Sequence, residues 1–204
     1  NLIQNLGKKI GSGLDELTLT TNGSQLEKYA EFLKENGVNR VNVSLDHLDP
    51  NKFKEITRWG DLNKVIAGIK KAKNVGIKVK INTVALKDFN EKNIVEIIEW
   101  CSANECDLTL IEVMPMGDIG SENRFNQYLP LSEVKETLSK SYKLTSIPKK
   151  TGGPARYYKI EGKKIDLGFI TPLTHNFCET CNRVRLTCTG ILYMCLGQDD
   201  NVNL

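Results

Sequence analysis

The 204-residue sequence predicts an α/β fold built from repeated strand–helix units. Three observations support this: β-branched apolar runs recur along the first half of the chain, amphipathic helical patterns separate them, and glycine follows two of those patterns. The apolar runs are 16–20, 40–45, 77–84 and 108–113, and the helical patterns are 24–36, 62–74 and 91–103. Gly37 and Gly76 stand where two helices should end. Alternating strands and helices predict parallel strands joined by right-handed crossovers, as a doubly wound sheet or a barrel.

Two of the strand patterns alternate between apolar and polar residues, which places the two classes on opposite faces of the sheet. The polar positions are Asn42, Ser44, Asp46, Lys80 and Asn82, and the apolar ones are Val41, Val43, Leu45, Val79 and Ile81. A barrel packed with Val and Ile would not show this alternation, so the polar face is expected to line a cavity. The alternative is a sheet face exposed to solvent.

The repeat ends beyond residue 117, and we predict one domain over 1–126 and a second region over 127–204. A helical pattern covers 131–142 with Ser132 as its cap, and a hairpin joins 157–160 to 164–170 across Glu161-Gly162. The basic residues of 149–164 are expected to form a solvated face or, alternatively, to steer an anionic ligand inward. Four strand–helix units are too few to close a barrel of six or eight, which predicts that the chain is a fragment.

Composition narrows the class of protein. The net charge of +3 is too small to indicate nucleic-acid binding, and the sequence has no apolar run long enough to predict a membrane span. Six cysteines without a secretory signal are more typical of metal or redox chemistry than of a disulfide framework. We expect a cytoplasmic protein that binds neither nucleic acid nor membrane.

The strongest chemical signal is the cysteine segment near the carboxyl end. Cys178 and Cys181 form a Cys-x-x-Cys pair, and Cys195 follows after thirteen residues, with Cys188 between. Thiolates at this spacing predict a metal centre, and the spacing leaves both an iron-sulfur cluster and a four-thiolate zinc site open. Arg183 and Arg185 alternate, so their guanidinium groups are expected to clamp an anion or to offset the charge of the sulfurs.

Five short motifs then occur in order along the chain. They are Thr20-Thr21-Asn22-Gly23, Val43-Ser44-Leu45-Asp46, Val79-Lys80-Ile81-Asn82, Ile111-Glu112-Val113-Met114-Pro115 and Phe177-Cys178-x-x-Cys181-Asn182-Arg183-x-Arg185-Leu186. Together they resemble the GTP 3',8-cyclase family, radical SAM lyases that open molybdenum cofactor biosynthesis. The resemblance spans essentially the whole chain, and the cysteine motif with its two arginines is its most specific part.

The resemblance implies a partial (β/α)6 radical SAM barrel over 1–126 and a small cluster-binding and GTP-binding region over 127–204. It implies two [4Fe-4S] clusters, one that splits S-adenosylmethionine and one that binds GTP. The family's Cys-x3-Cys-x2-Cys motif does not occur in these 204 residues, so the ligands of the first cluster are missing and the chain alone is expected to be inactive. The resemblance also implies an electron donor as a partner. Because members of the family are often dimers, it implies a homodimer.

Site residues follow from the resemblance position by position. The implied cluster ligands are Cys178, Cys181 and Cys195; the implied GTP contacts are Thr20, Lys80, Arg183, Val184 and Arg185; and the implied S-adenosylmethionine contacts are Ser44 and Met114. Simpler roles remain open: Lys80 could pair with Asp46, Thr20 and Ser44 could bond local backbone, and Met114 could fill the core. The competing functions are another radical SAM enzyme with an auxiliary cluster and a zinc-stabilised module that binds RNA.

Overall fold

The computed structural model describes residues 2–114, 126–174, 177, 179, 181–195 and 199–204. The helices are α1 (Leu2–Gly7), α2 (Leu26–Glu35), α3 (Pro50–Thr57), α4 (Leu62–Asn74), α5 (Ile94–Ala103) and α6 (Leu131–Ser139), with a 3-10 turn over Glu91–Asn93. The strands are β1 (Thr18–Thr21), β2 (Arg40–Ser44), β3 (Lys78–Ala85), β4 (Asp107–Glu112), β5 (Leu144–Ile147), β6 (Arg156–Ile160), β7 (Asp166–Ile170), β8 (Arg185–Leu186), β9 (Ile191–Tyr193) and β10 (Asn201–Asn203).

Seven strands form one mixed sheet in the order β1-β2-β3-β4-β7-β6-β5. Strands β1 to β4 and β7 are parallel neighbours, whereas β5, β6 and β7 pair antiparallel. The predicted α/β class and the predicted hairpin are therefore confirmed. Because β7 lies directly beside β4, residues on both sides of the predicted boundary at 126 contribute to one sheet, and the boundary itself stays a prediction. Strands β8 to β10 form a separate three-stranded sheet that the sequence did not predict.

The core lies between one face of the sheet and the helices. Val41, Val43, Ile81, Leu108 and Leu110 are fully buried on this face, beneath apolar residues of the helices. Burial of such side chains is the main favourable term for folding, at roughly 1.5–3 kcal/mol each. No helix in the described ranges is both long enough and apolar enough to cross a membrane.

Side-chain caps fix the beginnings of two helices. The Asp49 and Asp61 carboxylates each accept hydrogen bonds from the first free backbone N–H groups of α3 and α4. The prediction that Ser132 caps the next helix is wrong. Helix α6 begins after Pro130, and the Leu131 N–H donates instead to the carboxylate of Glu112, a buried residue at the end of β4.

The polar face of the sheet is organised in two rows by the strand register. The first row runs across Thr20, Asn42, Lys80, Asp107, Asp166 and Lys159. The second row runs across Ser44, Asn82, Thr109, Gly168 and Tyr157. Asp107 and Asp166 are level because the neighbouring pair Leu108 and Leu167 is in register. The alternation in the sequence therefore does place the polar residues on one face.

Candidate active site on the polar sheet face

Lys80 is the central charged residue of the first row. It is only 9% exposed, and its Nζ donates a hydrogen bond to Tyr157 Oη at 3.3 Å. No carboxylate of the described residues forms an ion pair with it. A buried ammonium group is costly unless an opposite charge accompanies it, so the phenol leaves Lys80 under-compensated. This is the property expected of a cation that receives an anionic ligand.

The alternative partner for Lys80, Asp46, is engaged elsewhere. Asp46 Oδ1 accepts a hydrogen bond from the Val84 backbone N–H at 2.8 Å. Burial raises the pKa of Asp46, and the hydrogen bond from Val84 opposes that effect. The suggestion that Lys80 is satisfied by Asp46 is therefore wrong.

The two aspartates of the first row are neutralised by other lysines. Lys149 Nζ lies 2.6 Å from Asp107 Oδ2 and 2.7 Å from Asp166 Oδ2, and Lys159 Nζ lies 2.5 Å from Asp166 Oδ1. Burial lowers the pKa of Lys149, but its hydrogen bonds to Asp107 and Asp166 outweigh this and raise it. The expectation that these basic residues form a solvated face is wrong for Lys149, which reaches back onto the sheet.

The second row contains polar atoms that lack partners. Asn82 Oδ1 and Thr109 Oγ1 are buried, and neither has a hydrogen-bond partner in the described part of the chain. Most buried polar atoms in proteins are paired, so such atoms mark places where a ligand or ordered water is expected. They lie one row above Lys80, beside Tyr157 and Gly168.

Thr20 and Ser44 lie on this face, and Met114 lies two residues beyond the end of β4. Thr20 is exposed, and its Oγ1 accepts a hydrogen bond from Asn42 Nδ2 at 3.3 Å, so its described partner is a side chain and not local backbone. Ser44 is exposed at the end of β2. Met114 follows β4 and is half-buried. All three positions are compatible with ligand contact, and none is committed to the core.

A cavity of about 570 Å³ lies between the loop that precedes β6 and the cysteine segment. Its lining comes from 150–156 and from Thr171, Phe177, Cys181, Asn182 and Arg183. The Arg183 guanidinium lies over the Phe177 ring, 5.2 Å from its centroid. Thr151, on the cavity wall, shares a 3.0 Å hydrogen bond with Tyr157 Oη, so the residue that holds Lys80 also contacts the cavity loop.

The described cysteines of the motif are accessible to a metal centre. Cys181 is exposed, and hydrogen bonds from the backbone and side chain of Arg183 lower the pKa of its thiol, which favours the thiolate that a metal requires. Cys195 is half-buried and Cys188 is exposed. Cys178 lies outside the described residues. The described residues contain no cluster of three metal-ligating side chains, so the ligand set stays a prediction.

The two arginines differ in their surroundings. Arg183 lines the cavity, whereas Arg185 lies in β8, where it pairs with Tyr193 of β9 and still lowers the pKa of Cys181 through its charge. Val184 between them is 53% exposed. Sequence reasoning did not identify Tyr157, Thr109, Lys149 or Asp107 as site residues. An unpaired hydroxyl, or an ion pair between residues distant in sequence, leaves no local sequence pattern from which it could be predicted.

Two family models match consecutive parts of the chain. Residues 2–101 match the radical SAM superfamily, and residues 106–204 match Molybdenum Cofactor Synthesis C. A "GTP 3',8-cyclase" of Rhizobium etli (strain CIAT 652) is 61% identical over all of this chain, and those of Rhizobium meliloti (strain 1021) and Brucella ovis are each 60% identical. The chain spans only 58–59% of the length of these relatives.

Solved structures support the fold alone. The crystal structure of Streptococcus suis SuiB bound to S-adenosylmethionine aligns with 98% of this chain and 48% of its own, with a TM-score of 0.54 and 19% identity. A second structure of SuiB aligns with 95% of this chain and 46% of its own, with a TM-score of 0.55 and 16% identity. At 16–19% identity, this similarity supports the α/β architecture but no assignment of function or site residues.

Proposed function

We propose that this chain, which belongs to the GTP 3',8-cyclase family of radical SAM proteins, supplies the GTP-binding part of such an enzyme. Lys80 carries the proposal, because it is a buried cation with a neutral partner on a polar sheet face. A triphosphate supplies the ion-paired negative charge that no described carboxylate gives it; the Glu16 carboxylate, whose pKa the Lys80 charge lowers, is ion-paired with Arg40 instead. Thr20 and the cavity residue Arg183 are the further proposed GTP contacts, together with Val184 and Arg185.

The cysteine segment is proposed to hold a [4Fe-4S] cluster through Cys178, Cys181 and Cys195. The exposed Cys181 thiol, activated by Arg183, suits this group. Three thiolates leave one iron without a protein ligand, which suits a site that also takes a purine. Exposed Cys188 keeps a four-thiolate arrangement chemically open, but the relatives favour the cyclase over a zinc-stabilised module.

Ser44 and Met114 are proposed to contact S-adenosylmethionine. When bound, that molecule and a second [4Fe-4S] cluster supply the radical chemistry that converts GTP to (8S)-3',8-cyclo-7,8-dihydroguanosine 5'-triphosphate, with an electron donor as partner. The residues of this chain bind and orient the nucleotide and exclude water from it. The buried Asn82 and Thr109 oxygens are further polar groups that such a ligand would satisfy.

The finer assignments complete the proposal. We propose that residues 1–126 belong to a partial (β/α)6 barrel and residues 127–204 to the cluster-binding and GTP-binding region of a cytoplasmic lyase. The family implies that this lyase is a homodimer. The six cysteines of the sequence contain no Cys-x3-Cys-x2-Cys motif. We therefore expect the 204-residue chain by itself not to turn GTP over.

GTP binding by the anaerobically reconstituted chain tests the proposal. Lys80→Met should weaken GTP binding by about tenfold or more, since a charge-assisted hydrogen bond is worth roughly 1.5–3 kcal/mol. Lys78→Met is the matched control, because Lys78 lies on the same strand and is exposed, and it should leave affinity within about twofold. Equal affinities in the two variants, or zinc in place of iron and sulfide in the purified protein, would overturn the proposal.

A further inference from the structure

We infer that Lys149 is a positioning residue that keeps Lys80 available for an anionic ligand by neutralising Asp107. The inference rests on the proposed function, in which Lys80 binds the phosphates of GTP. It assigns a role to a lysine that lies outside the resemblance motifs and is not among the residues that line the described cavity.

Asp107 is the natural competitor for Lys80. The two residues are register partners on the parallel strands β3 and β4, and both side chains belong to the first row of the polar face. Adjacent strands lie about 4.8 Å apart, which is well within the reach of a lysine side chain. An unpaired carboxylate at this position would attract the ammonium group of Lys80.

Lys149 removes that competitor. Its Nζ lies 2.6 Å from Asp107 Oδ2, while Asp107 Oδ1 accepts the Asp166 backbone N–H at 2.9 Å, so both oxygens of Asp107 are engaged. Asp166 has a second cation in Lys159, but Lys149 is the one cation paired with Asp107 among the described residues. Loss of the Lys149 charge would therefore free one carboxylate in particular, Asp107.

Tyr157 links the two lysines from the other side. The Lys149 ammonium lies over the Tyr157 ring, 5.1 Å from its centroid, and Tyr157 Oη accepts the hydrogen bond from Lys80. The same oxygen bonds to Thr151, two residues after Lys149. The segment that neutralises Asp107 thus also contacts the phenol that accepts the hydrogen bond from Lys80.

A double variant that removes both charges of the pair tests the inference in the anaerobically reconstituted full chain, with GTP and guanosine as probes. Lys149→Met should weaken GTP binding by about tenfold, because Asp107 then neutralises Lys80. Guanosine binding should change by less than about twofold, since guanosine has no phosphate. The double variant Lys149→Met/Asp107→Asn should recover GTP affinity to within about threefold of the parent, and Lys149→Arg should retain it.

The outcomes separate the two ideas. If Lys149→Met alone weakens GTP binding and Asp107→Asn does not restore it, Lys149 has only a structural role and the inference is overturned. If Lys80→Met itself leaves GTP affinity unchanged, the proposed function fails first. If Lys149→Met does not fold, the single variant Asp107→Asn is the test. GTP affinity equal to or higher than that of the unsubstituted protein supports the inference, whereas a lower affinity contradicts it.

Discussion

Two lysines on the same face of the sheet have opposite surroundings. Lys149 lies between the carboxylates of Asp107 and Asp166, whereas Lys80, one strand away from Asp107, has a phenol as its hydrogen-bond partner. The first arrangement is complete without a ligand and the second is not. The difference indicates that the position of the carboxylates, and not the lysines themselves, separates a part of this face that is complete without a ligand from the part that we propose to bind GTP.

The largest effect is expected where the second row is most tightly packed. A Cβ at Gly168 would lie 2.9 Å from Tyr157 Cε1 and 3.0 Å from Thr109 Oγ1, so Gly168→Ala must displace the ring that holds Lys80. We expect its free energy of unfolding, measured in urea, to fall by about 1–3 kcal/mol.

Gly152→Ala is the control for this change. A Cβ at Gly152 meets nothing within 4 Å, so this variant should unfold within about 0.5 kcal/mol of the parent. Equal stabilities of the two variants would show that Gly168 does not set the position of Tyr157.

These contacts also show which features of the sheet and the site could be predicted from the sequence and which could not. The polar alternation of 41–46 and 78–82 predicted which side chains share a face, because the period of two is a local property of a strand. The pairing of Lys149 with Asp107 could not be predicted, since it joins residues 42 positions apart in sequence and depends on the insertion of β7 beside β4. The same reason explains the wrong helix cap: the acceptor for the Leu131 N–H is Glu112, which lies on another element.

A smaller effect is expected at acidic pH. Burial raises the pKa of Asp166, but hydrogen bonds to Lys149 and Lys159 outweigh it and hold the pKa below the usual 3.8. The stabilisation is therefore present above pH 3.8 and is lost as the pH falls through the lowered pKa. Lys149→Met should reduce the loss of stability between neutral pH and about pH 3 by up to about 1 kcal/mol, measured by urea unfolding.

The neighbouring Lys150 provides the control for the acid transition. Lys150 is exposed and forms no ion pair in the part of the chain that the structure describes, so Lys150→Met should keep the pH dependence of the parent. If Lys149→Met and Lys150→Met lose stability in parallel as the solution is acidified, the Lys149 cluster does not contribute to folding and the contrast with Lys80 disappears.

The smallest effect should come from the unpaired hydroxyl of the second row. Thr109 and Thr83 are both fully buried, but Thr83 Oγ1 donates to the Leu45 carbonyl at 2.7 Å, whereas Thr109 Oγ1 has no partner among the described residues. Thr83→Val should lower the free energy of unfolding by about 1 kcal/mol. Thr109→Val should leave the free energy of unfolding unchanged or raise it by about 0.3 kcal/mol. Thermal or urea unfolding of the two variants without nucleotide measures the difference. If Thr109→Val lowers the free energy of unfolding as much as Thr83→Val does, the Thr109 hydroxyl already has a hydrogen-bond partner within the protein. The second row would then offer a ligand no unpaired hydroxyl at this position.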